Sequence, residues 1–166
     1  MTEQATNGEL FNLAIAAEEA AEELYRGLEA KFAQHPDVAA FWRQYAAEEA
    51  AHAHWLARIR DALSPEQLAA PADSQILGEA LKASGFSVGS ALKGIENLED
   101  AYQLVSEIEN EEINAVFEFL IEGFSTIPEA QSFLRAQLRD HINRIMIEFP
   151  ERFGDVVVRL AVRAVK

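Results

Sequence analysis

Apolar side chains recur every three or four residues through four long stretches of this 166-residue chain, which is the period of an amphipathic helix. The first helix is predicted over about 9–33, with Leu10, Leu13, Ala17, Ala21, Leu24 and Leu28 on one stripe. Thr6-x-x-Glu9 ahead of it has the form of a capping box. His35-Pro36-Asp37 breaks the pattern, and Pro36 suits the first turn of a second helix over about 37–61. The third is predicted over about 95–122, with Gly123 as its stop. The fourth opens at Thr126-Ile-Pro128-Glu129 and covers about 128–149, ending before Pro150.

Two of the connections are only a few residues long, which makes the helices they join antiparallel neighbours. The connection over 64–94 is long and rich in Ser, Gly, Pro and Ala. Ser64-Pro65-Glu66-Gln67 opens one short helix within it, and Ser74 to Ala83 is a candidate second. One long crossover among short ones lets helices two and three run parallel. The expected architecture is therefore a single all-α domain over 1–166, a four-helix bundle with one long connection. The segment 155–166 is basic and valine-rich, and periodicity leaves helix and strand open there. Val156, Val157, Val158, Leu160, Val162 and Val165 make it too apolar to stand exposed. It packs on its own bundle or joins two chains, so a homodimer or larger homo-oligomer is expected.

Composition narrows the chemistry. Apolar residues make up 49% of the chain, enough for a core at this length, and no apolar run approaches a membrane span. The start, Met1-Thr-Glu-Gln, lacks the basic and apolar regions of a signal peptide, so a cytoplasmic location is expected. The absence of cysteine excludes disulfides, iron–sulfur clusters and thiolate-held iron. Fourteen basic against 28 acidic residues give a net charge of −14, which repels nucleic acid and anionic membranes and attracts cations. Solubility alone accounts for such a surface. With 28 acids, some fall at helical spacing by accident, so an acid counts here only where its stripe neighbours are apolar. The chain has no Gly-rich phosphate loop and no nucleophile elbow.

Few acids pass that filter. Glu49 shares its stripe with Trp42, Tyr45, Ala46, Ala53 and Leu56, and His52, three residues on, shares its face. Glu18 has Phe11, Ala14, Ile15, Ala21 and Tyr25 for company, whereas Glu19 lines up with Glu22, Glu23 and Arg26. On the third helix, Glu109 falls among Tyr102, Val105, Ser106, Ile113 and Val116, and Glu112 among Val105, Ile108, Ala115 and Phe119. His141 lies in register with Leu134, Leu138 and Ile145 on the fourth. A carboxylate on an apolar stripe must leave water, which is costly unless a cation or a donor compensates it. Glu18, Glu49, His52, Glu109, Glu112 and His141 are therefore candidate metal ligands.

Each has a plainer alternative. Glu-x-x-His is common on helices by chance, and Glu112 could instead pair with a core tyrosine or a lysine. Glu48, with Phe41 and Trp55 nearby and four residues before His52, is the rival to Glu49. His54 points about 200° away from His52 and reads as surface. His35, before a proline, is a turn residue. Tyr25, Tyr45 and Tyr102 read as core aromatics whose hydroxyls bond buried carboxylates.

Taken in order along four helices, these residues resemble the rubrerythrin and ferritin-like di-iron carboxylate family, whose pattern is a Glu from each of two helices and Glu-x-x-His from each of the other two. Glu18 with Tyr25 resembles its first helix, Glu49-x-x-His52 its second, Val105-Ser-Glu-Ile-Glu109-Asn-Glu-Glu112 its third, and His141 its fourth. The likeness covers about 9–149 without the middle connection. It implies a ferritin-like bundle holding two iron ions, with zinc or manganese as alternatives. Glu18 and Glu109 would be terminal ligands, Glu49 bridging, and His52 and His141 one per metal. Hydrogen peroxide or oxygen would be reduced with electrons from an external donor such as a rubredoxin-like protein. Two departures stand out. The position three before His141 should be Glu and is Leu138, which leaves Glu112 as the candidate replacement; the family's tyrosine on helix three is Val116. Leu138 raises two rival readings: an iron-binding or iron-handling protein without significant turnover, and a bundle with a decayed site serving assembly or partner binding.

Overall fold

The computed structural model describes the backbone of residues 3–85, 87–110, 112–126 and 128–153, and the side chains of these except 110, 112 and 113. The Glu112 side chain and the whole of 155–166 lie outside the described residues. Among the described residues the chain is all-α, with an isolated β-bridge between Thr6 and Pro71.

Helix α1 (Asn7–Lys31) starts two residues before the expected 9, directly after the Thr6 cap. The Thr6 side chain accepts from the Glu9 backbone N–H, and the Glu9 carboxylate accepts from that of Thr6. These bonds satisfy two of the donors that a helix start leaves unpaired. Helix α2 (Pro36–Asp61) begins on Pro36, whose missing N–H costs nothing in a first turn. Alanines on the facing stripes, Ala14, Ala17 and Ala21 on α1 and Ala46 and Ala53 on α2, are buried where the two long helices pack along each other.

The connection holds three short helices, α3 (Pro65–Ala69), α4 (Ser74–Ser84) and α5 (Val88–Lys93). The first two match the sequence reading, closed by a Ser64–Gln67 capping box and by the Asp73 side chain. The third has a weak signature: Ser87 accepts from the Ser90 N–H, but a glycine sits inside six residues. Leu92 of α5 fits against Gly27 of α1, where a Cβ would fall 2.4 Å from Leu92 Cδ1. Glycine there permits the contact.

The third predicted helix is described as α6 (Leu98–Asn110) and α7 (Glu112–Phe124). It begins at Leu98, not Ile95, because the Asn97 side chain accepts the Asp100 N–H and sets the cap. The end expected for the fourth helix is corrected more substantially. Helix α8 (Pro128–Asn143) does not stop before Pro150. It passes into a π-helical turn over Arg144–Glu148 and then into α9 (Phe149–Phe153). Pro150 falls in the first turn of α9, directly after the π turn, whose last bond runs from the Phe149 N–H to the Arg144 carbonyl.

Two apolar clusters fill the interior. One gathers Tyr25, Trp42, Tyr45, Val105, Ile145 and Phe149; the other gathers Phe11, Leu56, Val116, Phe117, Leu134 and Leu138. On three of the contributing stretches the candidate ligand falls between them in sequence: Glu49 between Ala46 and Leu56, Glu109 between Val105 and Val116, and His141 between Ile145 and Leu138. On α1, Glu18 lies where the clusters meet, with Ala17 and Ala21 of the first beside it and Ala14 of the second one turn earlier. A charged layer is thereby sandwiched between two dry ones.

Candidate metal centre

Five of the six candidate ligands meet in that layer, and all five are buried: Glu18, Glu49, His52, Glu109 and His141. Their ligand atoms form two groups, Glu18–Glu49–His52 and Glu49–Glu109–His141, each with its atoms within 4.8 Å of one another. Glu49 belongs to both. Its Oε2 lies 3.6 Å from His52 Nδ1, and its Oε1 lies 2.6 Å from His141 Nε2. One carboxylate thus presents an oxygen to each histidine.

In the first group, His52 Nδ1 is also 3.6 Å from Glu18 Oε2. That separation is too long for a hydrogen bond. Two ligands each about 2.1 Å from a shared ion and about 90–120° apart are themselves about 3.0–3.6 Å apart, so it suits a common cation. The His52 ring rests on Phe117, with centroids 4.5 Å apart, and stands 5.2 Å from the His141 ring.

The second group is tighter and more heavily braced. His141 Nε2 is 3.0 Å from Glu109 Oε2, and Nδ1 on the far side of the ring is 2.6 Å from Glu48 Oε2. Arg144 in turn holds the other Glu48 oxygen. A neutral His141 that donates Nδ1–H to Glu48 turns the Nε2 lone pair toward two carboxylates. A lone pair aimed at anions repels them unless a cation lies between. Glu109 is fixed from both ends: the Tyr25 hydroxyl donates to Oε1, and the Asn114 amide donates to Oε2 at 3.0 Å. The Tyr45 hydroxyl donates to the His141 carbonyl, and its ring lies 4.2 Å from that imidazole.

The donor set therefore fits a metal on grounds internal to the protein. Glu18 Oε2 and His52 Nδ1 are buried without a hydrogen-bond partner, and so are Glu49 Oε1 and His141 Nε2, 2.6 Å apart, as long as that nitrogen carries no proton. Four such groups in one layer would be costly if left uncompensated. Carboxylate oxygens with imidazole nitrogens suit iron, manganese or zinc.

Without metal, protons do the balancing. Burial, and then the neighbouring Glu49 charge, hold the Glu18 carboxyl well above the usual carboxylate range. Burial acts upward on Glu49 too, but His141 and the Glu18 carboxyl outweigh it and leave Glu49 well below that range. Burial disfavours a charged His52, yet the facing Glu18 and Glu49 carboxylates lift it to about 10. His141 is likewise raised against its burial by Glu109 and Glu49. Burial, followed by the Glu109 charge, raises Tyr25 well above its ordinary value, so its hydroxyl stays a donor.

Leu138 is buried within the second apolar cluster, so the position expected to carry a carboxylate supplies hydrocarbon. Glu48 does not take the place of Glu49. It sits behind His141, outside both groups. His54 is exposed and Tyr102 stacks on Phe149 at 5.2 Å, neither of them at the site. Sequence reasoning missed three bracing residues: Glu48 in this role, Arg144 and Asn114. The signal for Glu48 was its partly apolar company; Arg144 and Asn114 look like ordinary helix residues.

Among the described residues no helix is long and apolar enough to cross a membrane. Neither the curated proteins nor the solved structures compared with the chain include a match. The sequence profile of the rubrerythrin family matches residues 9–123, a span that contains Glu18, Glu49, His52 and Glu109 and stops short of His141. The match covers well over half of the chain, and the geometry draws His141 into the same layer: the chain belongs to the rubrerythrin family.

Proposed function

We propose that this protein binds two iron ions in the Glu18–Glu49–His52 and Glu49–Glu109–His141 groups and reduces hydrogen peroxide, or oxygen, with electrons from an external donor such as a rubredoxin-like protein. The observation that carries the reading is Glu49, a buried carboxylate that offers one oxygen to each of two buried histidines. A ferrous pair would supply the two electrons that, with two protons, convert hydrogen peroxide into two waters.

The chain's own contribution is position, charge and dryness. Glu18, Glu49 and Glu109 bring three carboxylates to offset a rising metal charge, and carboxylates can shift between bridging and terminal binding as that charge changes. Glu48 keeps the proton of His141 on Nδ1 and so keeps Nε2 free to bind. Tyr25 and Asn114 hold Glu109 in place, and the two apolar clusters exclude bulk water.

Leu138 favours a second reading, an iron-handling protein with weak turnover. Loss of one carboxylate lowers the negative charge available to an oxidised pair. Iron content and peroxide consumption separate the two readings. The proposed function expects about two irons per chain and oxidation of that iron by stoichiometric peroxide, followed by re-reduction by an added donor. Full iron content without peroxide-driven oxidation would select the second reading.

A further inference from the structure

A cleft of about 290 Å³ lies between α2 and α8. From α2 it is lined by Gln44, Ala47, Glu48, Ala51 and His52, and from α8 and the π turn by Gln137, Asp140 and Arg144. The α2 residues follow i, i+3, i+4, i+7 and i+8 spacing, so they form one stripe, and the facing residues at 137, 140 and 144 form another. Two alanines in the middle of the first stripe leave the space that larger side chains would close. Among the lining residues is His52, which is 2% exposed and whose Nδ1, facing Glu18 and Glu49, has no hydrogen-bond partner. The cleft thus reaches a residue of the buried layer. Two other clefts, one lined by Arg26, Ala33 and Arg43 and the other by Trp55, Phe124 and Leu134, reach none of the five site side chains.

Its charged side chains are two acids, Glu48 and Asp140, and one cation, Arg144, which is paired with Glu48 and leaves Asp140 without a cation in the lining. That balance accepts a divalent cation and disfavours a bulky anion. We propose that this cleft is the route by which divalent metal ions pass between solvent and the buried layer, crossing beside His52, with Ala51 and Ala47 setting its width. The inference rests on the metal-binding reading above and adds to it a path, a direction of approach and two residues that bind no metal.

The test measures rate, not turnover. Metal-free protein is mixed with cobalt(II), loading is followed by the visible absorption of the bound ion, and extraction by excess EDTA is followed in reverse. Ala51→Leu, and independently Ala47→Leu farther out, fill the cleft while keeping a strong helix former. Ala40→Leu, on the exposed face of α2, is the control. Both cleft variants should load and release cobalt about tenfold more slowly or worse, because passage then waits on local opening of the bundle. Final occupancy should equal that of the wild type, and Ala40→Leu should keep wild-type rates. Wild-type rates in both cleft variants, or a lower final occupancy reached at an unchanged rate, would overturn the route alone. No cobalt uptake by the wild type would instead overturn the metal reading, and the route with it.

Discussion

The two halves of the centre are built differently. The His52 half is loose, with 3.6 Å spacings around Nδ1 and a cleft that reaches His52. The His141 half is tight and braced, with Nε2 within 3.0 Å of two carboxylates and with Glu48, Arg144, Tyr25, Asn114 and Tyr45 behind it. Yet the helix that carries His141 is the one where Leu138 supplies hydrocarbon at a position expected to hold a carboxylate. A ligand's bearing is set by what holds it, while the affinity of a site also depends on how many anions reach the ion. The His141 half has the stronger orientation, and the His52 half has a cleft beside it.

The largest effect should come from the bracing. Glu48→Ala removes the acceptor that fixes the His141 tautomer, and changes of this kind typically cost about 10–100-fold in metal affinity. The loss should fall on one of two binding steps in a calorimetric titration with cobalt. Equal loss at both steps would mean that Glu48 serves the whole centre. Leu138→Glu probes the same half from the other side. It should tighten the weaker step about tenfold or more and speed peroxide-driven oxidation of bound iron. Unchanged affinity and rate in this variant would remove the ground for calling the site a di-metal centre that lost a ligand.

Tyr25→Phe should act mainly on folding. It strips a buried donor from Glu109 and leaves a carboxylate oxygen unpaired, a loss of about 1–3 kcal/mol readable by urea unfolding of the metal-free protein. The smallest effect is that of pH. His52 is raised from 6.5 to about 10, so its protonation stabilises the metal-free fold fully below about pH 6.5, and this contribution is lost as pH rises through about 10. Glu18, also raised, acts in the same direction; Glu49, lowered, is charged throughout that window. Metal binding displaces these protons and so strengthens as pH rises. The Tm gap between cobalt-loaded and metal-free protein should therefore widen from pH 6.5 to 9.

The inward acids were legible because a carboxylate on an apolar stripe is conspicuous. Glu18, Glu49 and Glu109 each stand among apolar neighbours, and the helix period then fixes which way they point. The bracing residues were not legible, since Glu48 and Arg144 matter only through His141, about 90 residues from Glu48, and nothing local marks that pairing. The π turn was hidden for a similar reason. Pro150 signals a break by local rules, but the helix changes to π hydrogen bonding just before it and continues through the proline. Gly89 masked α5, whose place is set by Leu92 seated on Gly27.

Glu49 is the hinge of the whole account, and counting metal ions per chain in the wild type and in Glu49→Ala tests it most directly. The wild type should titrate with two cobalt steps of unequal affinity. Removing the one carboxylate that faces both histidines should weaken both steps together, each about tenfold or more. Loss of a single step with the other intact would contradict a shared ligand. Full retention of both would place the bound metal elsewhere on this acidic protein.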